Sequence, residues 1–210
     1  MGKHRIDALA DGIFAVAMTL LVIELKIPES AHVTNNASLL TTFVHLIPKF
    51  VAWIISFLVL ALFWFGHHRT LHFVHRVDGR LIALNLMFLG FVSLMPFASA
   101  LSGEYVVLTG AQVFYSATMS MVALFALLLS RYVYRHPELC NTPMPEGVFR
   151  AARFRTSMLI VISMVAIVIG YYLPAAGNSA FMLMLIVGPI ARRIEAKHAQ
   201  SSNETRTLSI

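Results

Sequence analysis

The chain has 210 residues, of which 58% are hydrophobic and 12% charged, and its mean hydropathy is +0.76. A soluble domain carries about 25% charged residues, so this composition excludes an ordinary water-soluble fold and indicates an integral membrane protein. The net charge of +6 lies between apolar segments, where it reads as a topology signal, and no nucleic-acid partner is expected.

The first membrane helix is expected over about residues 7–27. Its uninterrupted apolar run, Ile13 to Ile23, is 11 residues, whereas a hydrocarbon core needs about 20. The span therefore takes in Asp7, Asp11 and Glu24, which are costly in lipid unless they face protein or water. Lys3, His4 and Arg5 resemble the start of a secretory signal, but Asp7 and Asp11 interrupt it and no clear small-residue cleavage site follows. Pro28 to Ser38 is polar and ends the helix.

Five more helices are expected at about 39–66, 81–101, 106–133, 154–173 and 175–194. Trp53 and Trp64 bracket the second in the manner of interfacial aromatics, and Gly188 and Pro189 make the sixth the least regular. Residues 199–210 read as a disordered tail beyond a single domain of 1–198. Six spans divide the 16 basic residues unevenly: Lys26 and Lys49 fall on one side and the other fourteen on the opposite side. The positive-inside rule then gives an all-α polytopic membrane protein with six transmembrane helices and both termini cytoplasmic. No repeat at half or a third of the length is visible, which points away from a two-half transporter and toward assembly of several subunits.

Within the first helix, Leu9, Val16, Leu20, Ile23 and Ile27 fall within about 60° of one another at 100° per residue, with Thr19 at the edge. Asp11, Ala15, Met18 and Val22 form a second face whose small residues suit close packing. Asp11 is expected to anchor that face through a partner at its own depth, a histidine of the second helix, with Arg5 and Asn85 as rivals. The opposite stripe is then free to line a shared axis.

The run Trp64 to Arg69, followed by His72 and His75, concentrates histidines at one boundary. His68, His72 and His75 are spaced to share a helical face, a metal-binding pattern, but no thiolate and only Asp78 among carboxylates stands near them, so no metal is expected. The single cysteine, Cys140, rules out an intrachain disulfide. The chain lacks G-x-S-x-G, H-E-x-x-H, C-x-x-C and a phosphate loop, and it lacks a T-V-G-Y-G carbonyl filter. Neither an enzyme nor a cofactor protein is expected.

Taken together these residues resemble the TMEM175-type potassium channel family, whose first helix carries R-x-x-x-F-S-D followed by a run like G-x-F-A-I-A-x-T-L-L-V-L-E. Arg5, Asp11, Gly12, Phe14, Ala15, Thr19, Leu20, Leu21, Val22 and Glu24 match, while Leu9 stands for Phe and Ala10 for Ser. The likeness continues in Ser56-Phe57, Trp64 to Arg69, Asn85-Leu86, Phe88-Leu89 and Pro96-Phe97. It implies a potassium-preferring homotetrameric channel in a prokaryotic plasma membrane, passing K+ and other monovalent cations. By the same likeness, Val16 forms the main constriction, Thr19 a hydroxyl layer, and Leu20 and Ile23 the adjoining apolar layers. Arg5 and Asp11, with His67 or His68 and Asn85, brace the cytoplasmic end. The competing expectation is a proton-coupled secondary transporter that relays through Asp11, Glu24 and the histidines.

Overall fold

The computed structural model describes residues 2–23, 25–27, 34–173 and 176–207. Six α-helices lie among them: α1 Lys3–Ile23, α2 Asn36–His72, α3 Gly79–Glu104, α4 Thr109–Arg135, α5 Glu146–Tyr172 and α6 Met184–Thr207. Helices α1 to α5 are long and apolar enough to cross a membrane; α6 is not among them.

Local chemistry explains where the helix ends depart from expectation. Helix α1 starts at Lys3, where a Lys3–Asp7 ion pair at i,i+4 supports the first turns. It ends at Ile23, short of the expected Ile27, which Pro28 itself keeps out of helical geometry. Helix α2 begins at Asn36 behind a reciprocal cap: Ser38 N donates to Asn35 Oδ1 at 2.8 Å, and Asn35 N donates to Ser38 Oγ at 3.1 Å. It then runs through the histidines to His72, past the expected end at 66. Helix α5 begins at Glu146, well before residue 154, because Pro145 supplies a rigid start and Glu146 accepts a hydrogen bond from Arg150 one turn on.

The sixth segment differs most. Residues Gly177–Leu183 form a 3-10 helix, and only then does α6 begin. It continues to Thr207, across the stretch from 199 expected to be disordered. The sequence from Ala191 to Gln200 is rich in Ala, Arg, Glu, Lys and Gln, polar residues that are also strong helix formers. At its start, Asn178 Nδ2 donates to Ser102 Oγ at 2.8 Å near the end of α3. Further on, Arg69 near the end of α2 pairs with Glu195. Those two helix ends are at opposite ends of the bundle. The 3-10 and α-helical rises over these residues give about 30 Å, the thickness of a hydrocarbon core. The segment thus travels the bundle's length despite its low hydropathy.

Neighbouring helices pack in chain order, with α1 set against both α2 and α3. One apolar core runs through the bundle around Phe14, Phe88, Met95, Met119 and Phe181. Buried hydroxyls stitch it together: Ser56 Oγ donates to Ser99 Oγ and contacts Tyr115 OH, each at 2.9 Å, tying α2, α3 and α4. Gly177 is required by close approach, since a Cβ there would lie 2.7 Å from Gln112 Oε1 and 2.9 Å from the Ala166 carbonyl.

At the end where α1 begins, a second core of Ile6, Leu71, Val74, Leu81, Leu129, Val133 and Met144 seals the bundle. There the α2–α3 connection pairs with the α4–α5 connection through a Val74–Cys140 bridge, with His75 N donating to the Leu139 carbonyl at 2.7 Å. Asp78 caps α3 by accepting from Leu81 N at 2.8 Å, and its other oxygen accepts from Tyr132 OH. The Tyr132 bond first, and the Leu81 amide second, hold the Asp78 carboxyl below the usual carboxylate range. A depressed folded value means that this contribution to stability is complete above the ordinary carboxylate range, about pH 4. It is lost as pH falls through the lowered value. The detergent-solubilised protein is therefore expected to lose melting temperature more steeply than Asp78→Asn as pH falls below about 4; parallel profiles would remove Asp78 from the account.

Candidate functional site

Among the five helices able to cross a membrane, α1 exposes the most of itself: 28% of its apolar window is buried inside the chain, against 33% to 44% for α2 to α5. Its inward face is Ile6, Ala10, Phe14, Ala17 and Leu21, all buried. This corrects the expected packing face, because Asp11, Ala15 and Val22 are exposed on the single chain and Met18 is half-buried. Helical spacing fits both stripes, and the bulk of Phe14 and Leu21 decides between them. Phe14, only 1% exposed, sits against Phe88 at a ring distance of 5.9 Å and against His67 at 6.0 Å.

The stripe expected to face an axis is uncovered. Val16 is 57% exposed, Leu20 41% and Ile23 51%. Thr19 is exposed between them, and its Oγ1 lies 2.9 Å from the carbonyls of both Ala15 and Val16. Its single hydroxyl proton is thus committed to its own helix, which leaves the oxygen's lone pairs to the outside. Beside the stripe an open groove of about 360 Å³ follows the boundary of α1 and α3, lined by Ala8, Gly12, Val16, Leu20 and Ser93. A Cβ placed on Gly12 would meet nothing within 4 Å.

The residues expected to brace the start of α1 separate into two pairs. On the outer flank, Trp64 Nε1 donates to Asp11 Oδ1 at 2.9 Å, and the Trp64 ring stacks on His68 at 5.8 Å. The partner of Asp11 is thus an indole, in place of a histidine, Arg5 or Asn85. An indole N–H is donor-only and needs an acceptor at its own depth, which makes Trp64 more than an interfacial marker. On the inner flank, His67 Nε2 meets Asn85 Oδ1 at 2.6 Å, both residues buried, and His67 stacks on Phe88 with ring centroids 5.0 Å apart. Because the amide oxygen accepts, Nε2 carries the proton. Arg5 is exposed and makes no ion pair among the described residues. Glu24 lies outside the described residues.

The metal-binding pattern does not assemble. Helix α2 ends at His72, so His75 leaves the face shared by His68 and His72. Among the described residues no group of three or more His, Cys, Asp or Glu comes together.

A family model described as the endosomal/lysosomal potassium channel TMEM175 matches residues 5–96, which hold α1, α2 and most of α3. A potassium channel of Streptomyces collinus is 31% identical over 158 residues, 73% of this chain and 75% of that one. The chain belongs to the TMEM175 family. Another relative, a potassium channel of Chryseobacterium sp., is 27% identical over 196 residues, 93% of this chain and 97% of its own length. The crystal structure of a lysosomal potassium-selective channel TMEM175 homologue from Chamaesiphon minutus superposes with a TM-score of 0.72 at 25% identity, covering 90% of this chain and 97% of that one. Every site residue named above falls in the part matched by the TMEM175 family model, while α4 to α6 supply the wall behind α2 and α3.

The inner pair is open to a direct test. Asn85→Leu leaves the buried His67 N–H without an acceptor and is expected to lower stability by about 1–3 kcal/mol. Adding His67→Phe to that variant removes the stranded donor and is expected to restore most of the loss. Equal melting temperatures for the single and double variants would show that the hydrogen bond is not what holds the pair.

Proposed function

We propose that this chain is a potassium-preferring cation channel built from four copies, with α1 of each copy at the central axis. The observation that carries the reading is the uncovered stripe of Val16, Leu20 and Ile23, apolar side chains facing away from a subunit that buries α1 along a different face. The TMEM175 membership and the relatives named as potassium channels support it. Val16 forms the main constriction, Leu20 and Ile23 the apolar layers beside it, and Thr19 a hydroxyl layer.

A ring of such side chains restricts ions by dewetting. Water leaves a narrow apolar passage, and an ion without its hydration shell does not cross. The Thr19 oxygens, with lone pairs turned outward, interrupt that apolar column with acceptors suited to a monovalent cation. The groove along α1 and α3 receives the α1 of a second copy, with Ala8 and Gly12 allowing close helix approach. Asp11 and Trp64, with His67 and Asn85, hold the start of α1 against α2 and α3 at the end rich in Lys and Arg. The positive-inside rule puts that end, and both termini, in the cytoplasm.

In potassium-loaded proteoliposomes, Val16→Asn and Ile23→Asn should each raise flux several-fold by wetting the passage. If neither changes flux, α1 is not the pore wall. Single-channel steps in planar bilayers separate this reading from the proton-coupled transporter, which predicts saturable flux that loses its pH coupling in Asp11→Asn. Gly12→Leu adds a side chain that meets nothing in its own subunit, so it should leave the melting temperature nearly unchanged while shifting the native mass from four copies to fewer. An unaltered tetramer would place the contact elsewhere.

A further inference from the structure

A cavity of about 470 Å³ opens at the end of the bundle where α1 finishes. It lies between the chain from Leu25 to Ile27 just beyond α1 and the facing parts of α2 and α3 around Lys49, Trp53, Phe97 and Glu104. Its volume falls within the range of small-molecule sites, about 300–1,000 Å³. Leu21, Leu25, Ile27, Phe97 and Trp53 give it apolar walls, and Lys26, Lys49 and Glu104 stand on the same lining.

Two features mark it as a site for a ligand of particular chemistry. Lys26 and Lys49 are the two basic residues that the topology separates from the other fourteen, and both lie on this one cavity. Selection for orientation disfavours cations at that end, so their convergence calls for a purpose. Lys49 is committed to an ion pair with Glu104, whereas Lys26 is exposed and has no ion-pair partner among the described residues. Among the described residues the lining therefore carries one more positive than negative charge. Independently, the Trp53 indole N–H is buried on this lining with no hydrogen-bond partner. A buried donor left unpaired among the described residues costs about 1–3 kcal/mol, which an oxygen reaching it after a side-chain adjustment would recover.

We propose that this cavity binds an anionic phospholipid, its phosphate at Lys26 beside the Lys49–Glu104 pair and its acyl chains along the apolar walls. The occupant is amphiphilic because the walls are apolar and their edge residues Phe97 and Ile27 are exposed on a helix bundle set in lipid. It is anionic because the uncompensated charge is positive, at the depth where a membrane presents its headgroups. Binding here does not depend on whether α1 lines a pore.

The test is native mass spectrometry of the full chain in detergent, titrated separately with phosphatidylglycerol, phosphatidylcholine and inorganic phosphate. Phosphatidylglycerol should be retained at least about tenfold more strongly than phosphatidylcholine, and Lys26→Gln should weaken it about fivefold, the worth of one lysine at a membrane surface. Lys26→Arg should retain binding. Ala100→Phe, which fills the cavity without changing its charge, should lower retention of phosphatidylglycerol. Lys26 sits on exposed, non-helical chain beyond α1, so Lys26→Gln keeps the test decisive if the cavity-filling variant fails to fold. Equal retention of the two lipids, or unchanged phosphatidylglycerol binding in Lys26→Gln, would overturn the proposal. So would inorganic phosphate binding as strongly as the lipid, which would make this a simple anion site, or phosphatidylglycerol binding only to chains separated from their oligomer, which would give the cavity to a second copy.

Discussion

Phe14 is the contact on which the rest of the arrangement depends. It is almost wholly buried, and its ring reaches two helices at once, touching His67 of α2 and Phe88 of α3. A helix in a membrane gains little from simple apolar contact, because lipid offers the same chemistry. Shape and hydrogen bonding have to fix its rotation. Phe14 supplies the shape, the stacked His67–Asn85 pair supplies a rigid polar wall for it, and the Trp64–Asp11 bond pins the adjacent flank. Once these three are set, α1 has no freedom to rotate, and Val16, Leu20 and Ile23 must point about 110° away from the buried stripe.

The helices behind α1 keep that wall still. Ser56, Ser99 and Tyr115 link α2, α3 and α4 at a depth where unpaired hydroxyls are expensive. Arg155 of α5 lies so close to α2 that a Cβ on Gly66 would fall 2.1 Å from its guanidinium. Gly66 precedes His67 directly, so α5 presses on the turn that carries the buried histidine. The return segment closes the circuit through Asn178–Ser102 at one end and Arg69–Glu195 at the other. Substitutions in α4 to α6 thus reach the site through α2.

Much of this was legible in the sequence, and what was missed has physical causes. Long apolar runs separated by polar, proline-bearing stretches fix the helices and their order, because a membrane leaves few alternatives. The expected ends fall short where charged residues continue a helix, as from Glu146 to Arg153 and from Glu195 onward: polarity signals exposure, whereas propensity and capping decide helicity. On α1, periodicity groups Val16, Leu20 and Ile23 on one stripe, while the resemblance to the family gives that stripe its outward role. The inward face did not follow, since two stripes had the right spacing and only the volume of Phe14 and Leu21 separates them. The partner of Asp11 was missed because an indole was treated as an interface marker when it is also a donor with one bond to make. The Gly66–Arg155 contact joins residues far apart in the chain, and nothing local announces it.

The two ends of the bundle are built for different tasks. Where α1 begins, a separate apolar core, a backbone bridge between two connections and the Asp78 cap close the structure. Where α1 finishes, the matching space is a cavity. The buried stripe of α1 reaches only to Leu21, and Ile23 is the last residue of the helix. The grip on one face thus extends into the last turn, where Leu21 is buried, while Ile23 in the same turn is half exposed. Any change in how α1 meets its neighbours costs least at Ile23 and most at Phe14. In the proposed channel, the layer at Val16 lies where Phe14 fixes the rotation of α1, whereas the layer at Ile23 lies at the helix end, beyond the last buried contact.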